Sequence, residues 1–321
     1  MYKTIAQHLA HEQVRDNHRA ANSEWCGEHV YKATVRRFAS GCEISIRDVQ
    51  ADRIDHPVLP EVPIHLQIPK ERTEEEQAER DAENMYRAAK RAKQAVRWLL
   101  KSMQADHLLT LTTRADIGDL KKFQRIYQEF VRLVRKRYPK WQYVAAHELQ
   151  ERGAIHLHIG IRGRGDVHWL RRCWWIALGH RVEIDYNEKG KPVLRALVKD
   201  GQWRYARPEE VRGNIDLRGP QRKFSPNGGA KWKTDKLAAY MTKYMAKNFD
   251  KVSGVRRYWP SKAIERPFVE QMWLMATEWR DAVREAHDMV KGRFCCSSLH
   301  IWHSPDMARM WFSGSEPGCP F

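Results

Sequence analysis

Two β-rich runs on either side of one tight turn constrain this chain more than anything else in it. Residues 142–149 and 154–162 flank Glu151-Arg152-Gly153, and the second run alternates, with Ile155, Leu157 and Ile159 against His156 and His158. Side chains two apart on a strand share a face. The pattern therefore predicts a β-hairpin with one face buried in a core and the histidine face left free for function. Chance alone supplies roughly 0.7 His-x-His pairs in a chain of this histidine content, so the weight rests on the apolar flanks rather than on the pair.

The surroundings read as regular structure. Residues 107–113 form a β-rich run, and Leu109-Thr-Leu-Thr-Thr113 is placed to lie beside the histidine strand in the sheet. Phe123, Ile126, Tyr127, Phe130, Val131 and Val134 repeat at helical spacing over 120–138, with Pro139 as the stop. A Trp-rich helix over 166–178 is closed by Gly179, and its Trp174 and Trp175 are expected in the core. Strands are expected at 181–185, 213–218 and 256–259, with a hairpin or insertion over 187–212 and a Gly/Pro/Asn loop over 223–233. Residues 234–249 read as a helix capped by Thr234 or Asp235.

Upstream, residues 30–38 and 43–49 read as short strands, and the prolines of 57–69 as an extended linker. Thr73 with Glu76 forms a capping box for a helix reaching residue 101. Downstream, 268–290 reads as a helix, and the last thirty residues show no period.

Charge is unevenly placed. Of the net +17, residues 101–250 carry 31 Lys+Arg against 16 Asp+Glu, while residues 1–100 are neutral. A localised field of that sign favours a polyanion, with nucleic acid the default partner. The 42 % hydrophobic content excludes a mainly disordered chain. No stretch approaches the ~18–20 apolar residues of a membrane span, and the start lacks a secretory pattern. The expectation is a soluble cytoplasmic protein with no membrane partner. Six scattered cysteines without a Cys-x-x-Cys pair read as reduced thiols.

Two constellations carry chemistry. The hairpin brings Glu148 back toward His156 and His158, and a carboxylate with two neutral imidazoles suits Mn²⁺ or Mg²⁺. An ordinary solvated acid at a strand end is the other reading of Glu148, and His147 points away from it. On the 234–249 helix, Tyr240 and Tyr244 share a face at i and i+4, and Lys243 and Lys247 follow each at the same offset. Packing against a sheet would explain an isolated tyrosine pair. The neighbouring lysines favour a phenolate and bind phosphate.

The order of a Thr-rich strand, then Glu148-x-Gln150-x-Arg152-Gly153-x-x-His156-x-His158, then Tyr240-Met-Thr-Lys243-Tyr244-Met-Ala-Lys247, resembles the HUH endonuclease superfamily. It is most similar to the rolling-circle replication initiators of plasmids and bacteriophages, over roughly residues 105–260. The resemblance implies an α+β fold, with a central antiparallel sheet carrying the histidines and helices packed against it. To this nuclease domain (105–260) are added an N-terminal accessory region (1–72), a connecting helix (73–104) and a helical C-terminal segment (261–321). It also implies a divalent metal ion (Mg²⁺ or Mn²⁺) on His156, His158 and Glu148, and nicking of single-stranded DNA at a replication origin in a bacterial host. Tyrosine attack would leave a 5′-phosphotyrosine link and a free 3′ hydroxyl. Tyr244 is the favoured first nucleophile, Tyr240 its partner or alternate, with Lys243 and Lys247 assisting. No Walker A string occurs, so a host helicase and DNA polymerase would be borrowed. The alternatives are a transposase or relaxase of the same chemistry, or a non-catalytic basic nucleic-acid-binding protein.

Overall fold

The computed structural model describes residues 30–38, 41–49, 73–114, 119–149, 154–197, 201–205, 211–219, 234–247, 257–293, 298–303 and 309–315, without the side chains of 149, 235, 244–247, 290–293, 298–303 and 309–315. In chain order the strands are β1 (Tyr31–Phe38), β2 (Gly41–Asp48), β3 (His107–Thr113), β4 (Tyr143–Leu149), β5 (Ile155–Ile161), β6 (Val182–Tyr186), β7 (Pro192–Leu197), β8 (Trp203–Tyr205), β9 (Gly213–Arg218), β10 (Tyr258–Pro260), β11 (Phe268–Trp273), β12 (Ser298–His303) and β13 (Arg309–Ser315). The helices are α1 (Glu74–Ser102), α2 (Leu120–Arg137), α3 (Val167–Ala177), α4 (Thr234–Lys247) and α5 (Trp279–Arg293). The fold class is α+β with antiparallel sheets. Among the described residues no helix is long and apolar enough to cross a membrane. The expected linker over 57–69, the turn at 151–153 and the loop over 223–233 lie outside the described residues.

Two compact units divide the chain, one made of residues 1–71 with 267–321 and the other of residues 72–266. The first holds a five-stranded sheet ordered β11-β1-β2-β13-β12. Tyr31, Ala33 and Val35 of β1 and Cys42, Ile44 and Ile46 of β2 alternate inward and bury against Ala282 and Ala286 of α5. Two expectations fail here. Residues 268–273 are a strand, and α5 begins only at Trp279. Phe268, Val269, Met272 and Trp273 also fit a helical period, and the partner that makes them a strand is β1, more than two hundred residues away. The patternless tail forms β12 and β13, with β13 paired along β2. The C-terminal segment is therefore largely sheet rather than helical.

In the second unit β10-β4-β5-β3-β9 form one antiparallel sheet and β6-β7-β8 a smaller one. On one face of the larger sheet, Leu109, Leu111, Ala145, Leu157 and Ile159 bury under α2 and α3 with Phe123, Tyr127, Phe130 and Trp174. Trp174 and Trp175 are core, as expected. Their indole N–H groups donate to Thr112 O (3.1 Å) and Gly213 O (2.9 Å), tying α3 to β3 and β9. A Cβ at position 213 would overlap the Thr112 carbonyl, so glycine alone permits that approach.

Caps set the helix starts. Thr73 Oγ1 accepts from Glu76 N at 3.2 Å while Thr73 N donates to Glu76 Oε2 at 3.3 Å, completing the expected capping box of α1. Asp119 and Asp166 cap α2 and α3 by accepting from the first free amides of each helix.

Candidate functional site

The register of the larger sheet lays out its second face row by row. Glu148, His156, Thr112 and Asn214 are directly opposed across β4, β5, β3 and β9, as are Ala146, His158, Thr110 and Asp216 in the next row. Val144, Gly160, Leu108 and Arg218 form the third. The Thr-rich strand thus lies beside the histidine strand, where the sequence placed it.

This face is not free, contrary to expectation. Val96 and Leu100 of α1, with Leu237, Ala238 and Met241 of α4, pack on its third row against Leu108 and Val144. Gly160 makes the approach possible, since a Cβ there would overlap Leu100 Cδ2 and stand 3.1 Å from Met241 Sδ. The apolar third row and the polar first two are thereby separated, and α4 is held over the histidines.

His158 is only 6 % exposed. Its Nε2–H donates to Glu148 Oε2 at 2.9 Å, a diagonal reach from the row above. On its other side Thr110 Oγ1 stands 3.5 Å from His158 Nδ1. A hydroxyl both donates and accepts, so Thr110 can satisfy Nδ1 in either ring tautomer. His156, half-buried, places its ring 6.3 Å from that of His158 at 79°. Tyr240 of α4 sets its ring edge-on to His158, 6.2 Å away at 89°.

Of the seven residues singled out from sequence, Glu148, His158, His156 and Tyr240 come together. Lys243 is exposed on α4, and the side chains of Tyr244 and Lys247 lie outside the described residues. His147 faces the opposite side, as expected. It is buried and stacked on Trp259 at 5.6 Å, and burial, aided by the Arg257 charge, pushes its pKa down to about 4. Sequence reading missed Thr110 as a partner of His158 and Gly160 as the seat of α1. The strand register would have pointed to both.

The donor set fits a hard divalent ion. Two imidazoles and a carboxylate share one face, and octahedral ligands at about 2.1 Å lie roughly 3 Å apart, close to the Glu148–His158 separation. Among the described residues, no three His, Cys, Asp or Glu side chains converge as a metal-binding group.

Residues 106–249 match a family model of replication-associated proteins, the ORF2 and gene 2 protein family. That span runs from the start of β3 through α4 and contains every residue of the cluster. No curated protein and no solved structure matches the chain.

Proposed function

We propose that this chain is a replication initiator of the rolling-circle type, a nicking and joining endonuclease on an HUH-like fold. The family match supports a role in DNA replication. The observation that carries the enzymatic reading is Tyr240 standing edge-on to His158, which in turn contacts Glu148.

His156, His158 and Glu148 would hold the ion, and a bound Mg²⁺ or Mn²⁺ would polarise the scissile phosphate. The phenol oxygen of Tyr240 or Tyr244 attacks phosphorus, the P–O3′ bond breaks, and the departing oxygen takes a proton to become a 3′ hydroxyl. The 5′ end stays joined as a phosphotyrosine diester, which a later 3′ hydroxyl can attack to reseal the strand without ATP. Two tyrosines permit a second such transfer. Lys243 and Lys247 offset the phosphate charge. A host helicase and polymerase in the bacterial cytoplasm would extend the free 3′ end.

The direct Glu148–His158 bond satisfies both groups without an ion, and it favours a second reading as a non-catalytic nucleic-acid binder. One experiment separates the two. The protein is incubated with single-stranded circles of the replicon that encodes it and Mn²⁺ or Mg²⁺. Wild type forms a covalent adduct visible on a denaturing gel, and Tyr240→Phe/Tyr244→Phe forms none. No adduct with wild type would leave the binder.

A further inference from the structure

The excess charge of this chain concentrates at one corner of the 72–266 unit. Residues 132–140, the end of α2, hold five cations and no acid, and residues 162–172 hold four cations and one acid, Asp166. The two runs are joined in space, because Arg137 Nη1 donates to Asp166 Oδ2 at 2.8 Å and Asp166 N donates to Tyr138 Oη at 3.1 Å. Between β5 and α3, the loop Arg162-Gly163-Arg164-Gly165 turns through two glycines with φ of 77° and 63°, and both arginines are exposed. Its anchor is Gly163 N, which donates to Asp106 Oδ1 at 2.6 Å. Both nearby carboxylates are thus engaged within the corner, and Lys140, Arg162 and Arg164 make no ion pair among the described residues.

Helix-dipole compensation explains part of this. Arg135, Lys136 and Arg137 sit in the last turn of α2, where cations are favoured. It cannot explain Arg162 and Arg164, which precede the N-terminus of α3, where the dipole and the neighbouring cations both oppose positive charge. An anion is the missing partner. The aromatic rings here are already covered, Trp169 by the guanidinium groups of Arg137 (5.6 Å) and Arg172 (5.4 Å), and Tyr138 by Arg137 (5.7 Å). No ring face is offered to an unstacked base, so the corner meets phosphates rather than bases.

We propose that this corner grips the backbone of duplex DNA, the nucleic acid of highest phosphate density, at a site separate from the tyrosine and histidines. Arg162 lies six residues along β5 from His156, about 20 Å at ~3.3 Å per residue. Helices α2 and α3 cover the sheet face opposite the histidines. Duplex held here flanks the cleaved strand by roughly six base pairs, a placement that rests on the nicking reading, whereas the binding itself does not.

The test is fluorescence anisotropy of the full chain with a 20-base-pair duplex of arbitrary sequence across a salt series. Arg162→Ala/Arg164→Ala is expected to weaken duplex binding about tenfold or more at low salt and to flatten the log–log salt slope by about 1.8, two phosphate contacts at ~0.9 each. Arg162→Lys/Arg164→Lys keeps the charge and binds as wild type does, which a merely structural role of the arginines would not allow. Lys121→Ala/Lys122→Ala, at the other end of α2, removes the same charge with little effect. Equal loss in that control, or an unchanged slope in the loop variant, overturns the proposal. An equal loss for a single-stranded 20-mer overturns the duplex assignment. Adduct formation on a short single-stranded substrate is unchanged in the loop variant. If wild type forms no adduct, the nicking reading fails while the duplex measurement still decides this one.

Discussion

The carboxylate of Glu148 reaches past His156, its directly opposed neighbour, to lie 2.9 Å from His158 Nε2. One acid is thereby within reach of both imidazole rows, and it is 17 % exposed while His158 is nearly dry. Glu148→Gln keeps the shape and a hydrogen-bond acceptor but removes the negative charge that a hard cation requires. It should weaken Mn²⁺ binding at least tenfold, as read by paramagnetic resonance of the free ion, and abolish adduct formation. Wild-type Mn²⁺ affinity in this variant would remove Glu148 from the ligand set.

Thr110 serves the same histidine from the strand behind. Ligation through Nε2 moves the ring proton to Nδ1, where Thr110 Oγ1 can accept it. Thr110→Val is close in volume but cannot, and Thr110→Ser can. Valine should cost about 10–100-fold in Mn²⁺ affinity, by analogy with other outer partners of ligating histidines, with serine restoring most of it. Equal behaviour of the two variants would reduce Thr110 to a sheet residue.

Gly160 decides how closely α1 approaches the sheet. Gly160→Ala drives a methyl into Leu100, itself fully buried, and overpacking of this kind costs about 1–3 kcal/mol. In urea denaturation the midpoint should drop accordingly. Adding Leu100→Ala, which vacates the space, should cost less than the two single effects combined. Strict additivity would show that the two positions are not coupled.

Local pattern made much of this unit legible. The apolar alternation of Ile155, Leu157 and Ile159 set the hairpin, and helical spacing set α2, because both signals lie within a few residues of each other. What escaped was long-range. The covering of the histidine face depends on Leu100 meeting Gly160 across sixty residues, and β11 becomes a strand only because β1 supplies its hydrogen bonds. The basic excess of residues 101–250 was plain in the composition. Its gathering at one corner depends on Arg137 meeting Asp166 in the fold.

His147 makes the fold acid-sensitive. It is buried with Nδ1 lacking a hydrogen-bond partner, and burial with the Arg257 charge lowers its pKa from 6.5 to about 4. The unfolded chain takes up a proton near pH 6.5 and the folded chain only near pH 4. Between those values the unfolded state binds more protons, so stability falls as pH falls. It is fully present above pH 6.5, and the loss through the window is on the order of 3 kcal/mol. His180 acts in the same direction. Its Nε2 accepts from Arg212 N at 2.9 Å, and burial and then the Arg212 charge hold its pKa down. His147→Phe keeps a ring on Trp259 and removes the titration. Urea midpoints at pH 7.5 and 4.5 should therefore differ by clearly less in the variant than in wild type, the remainder coming from His180 and the carboxylates. An identical acid loss in both proteins would mean that His147 is protonated in the folded state as readily as in the unfolded one.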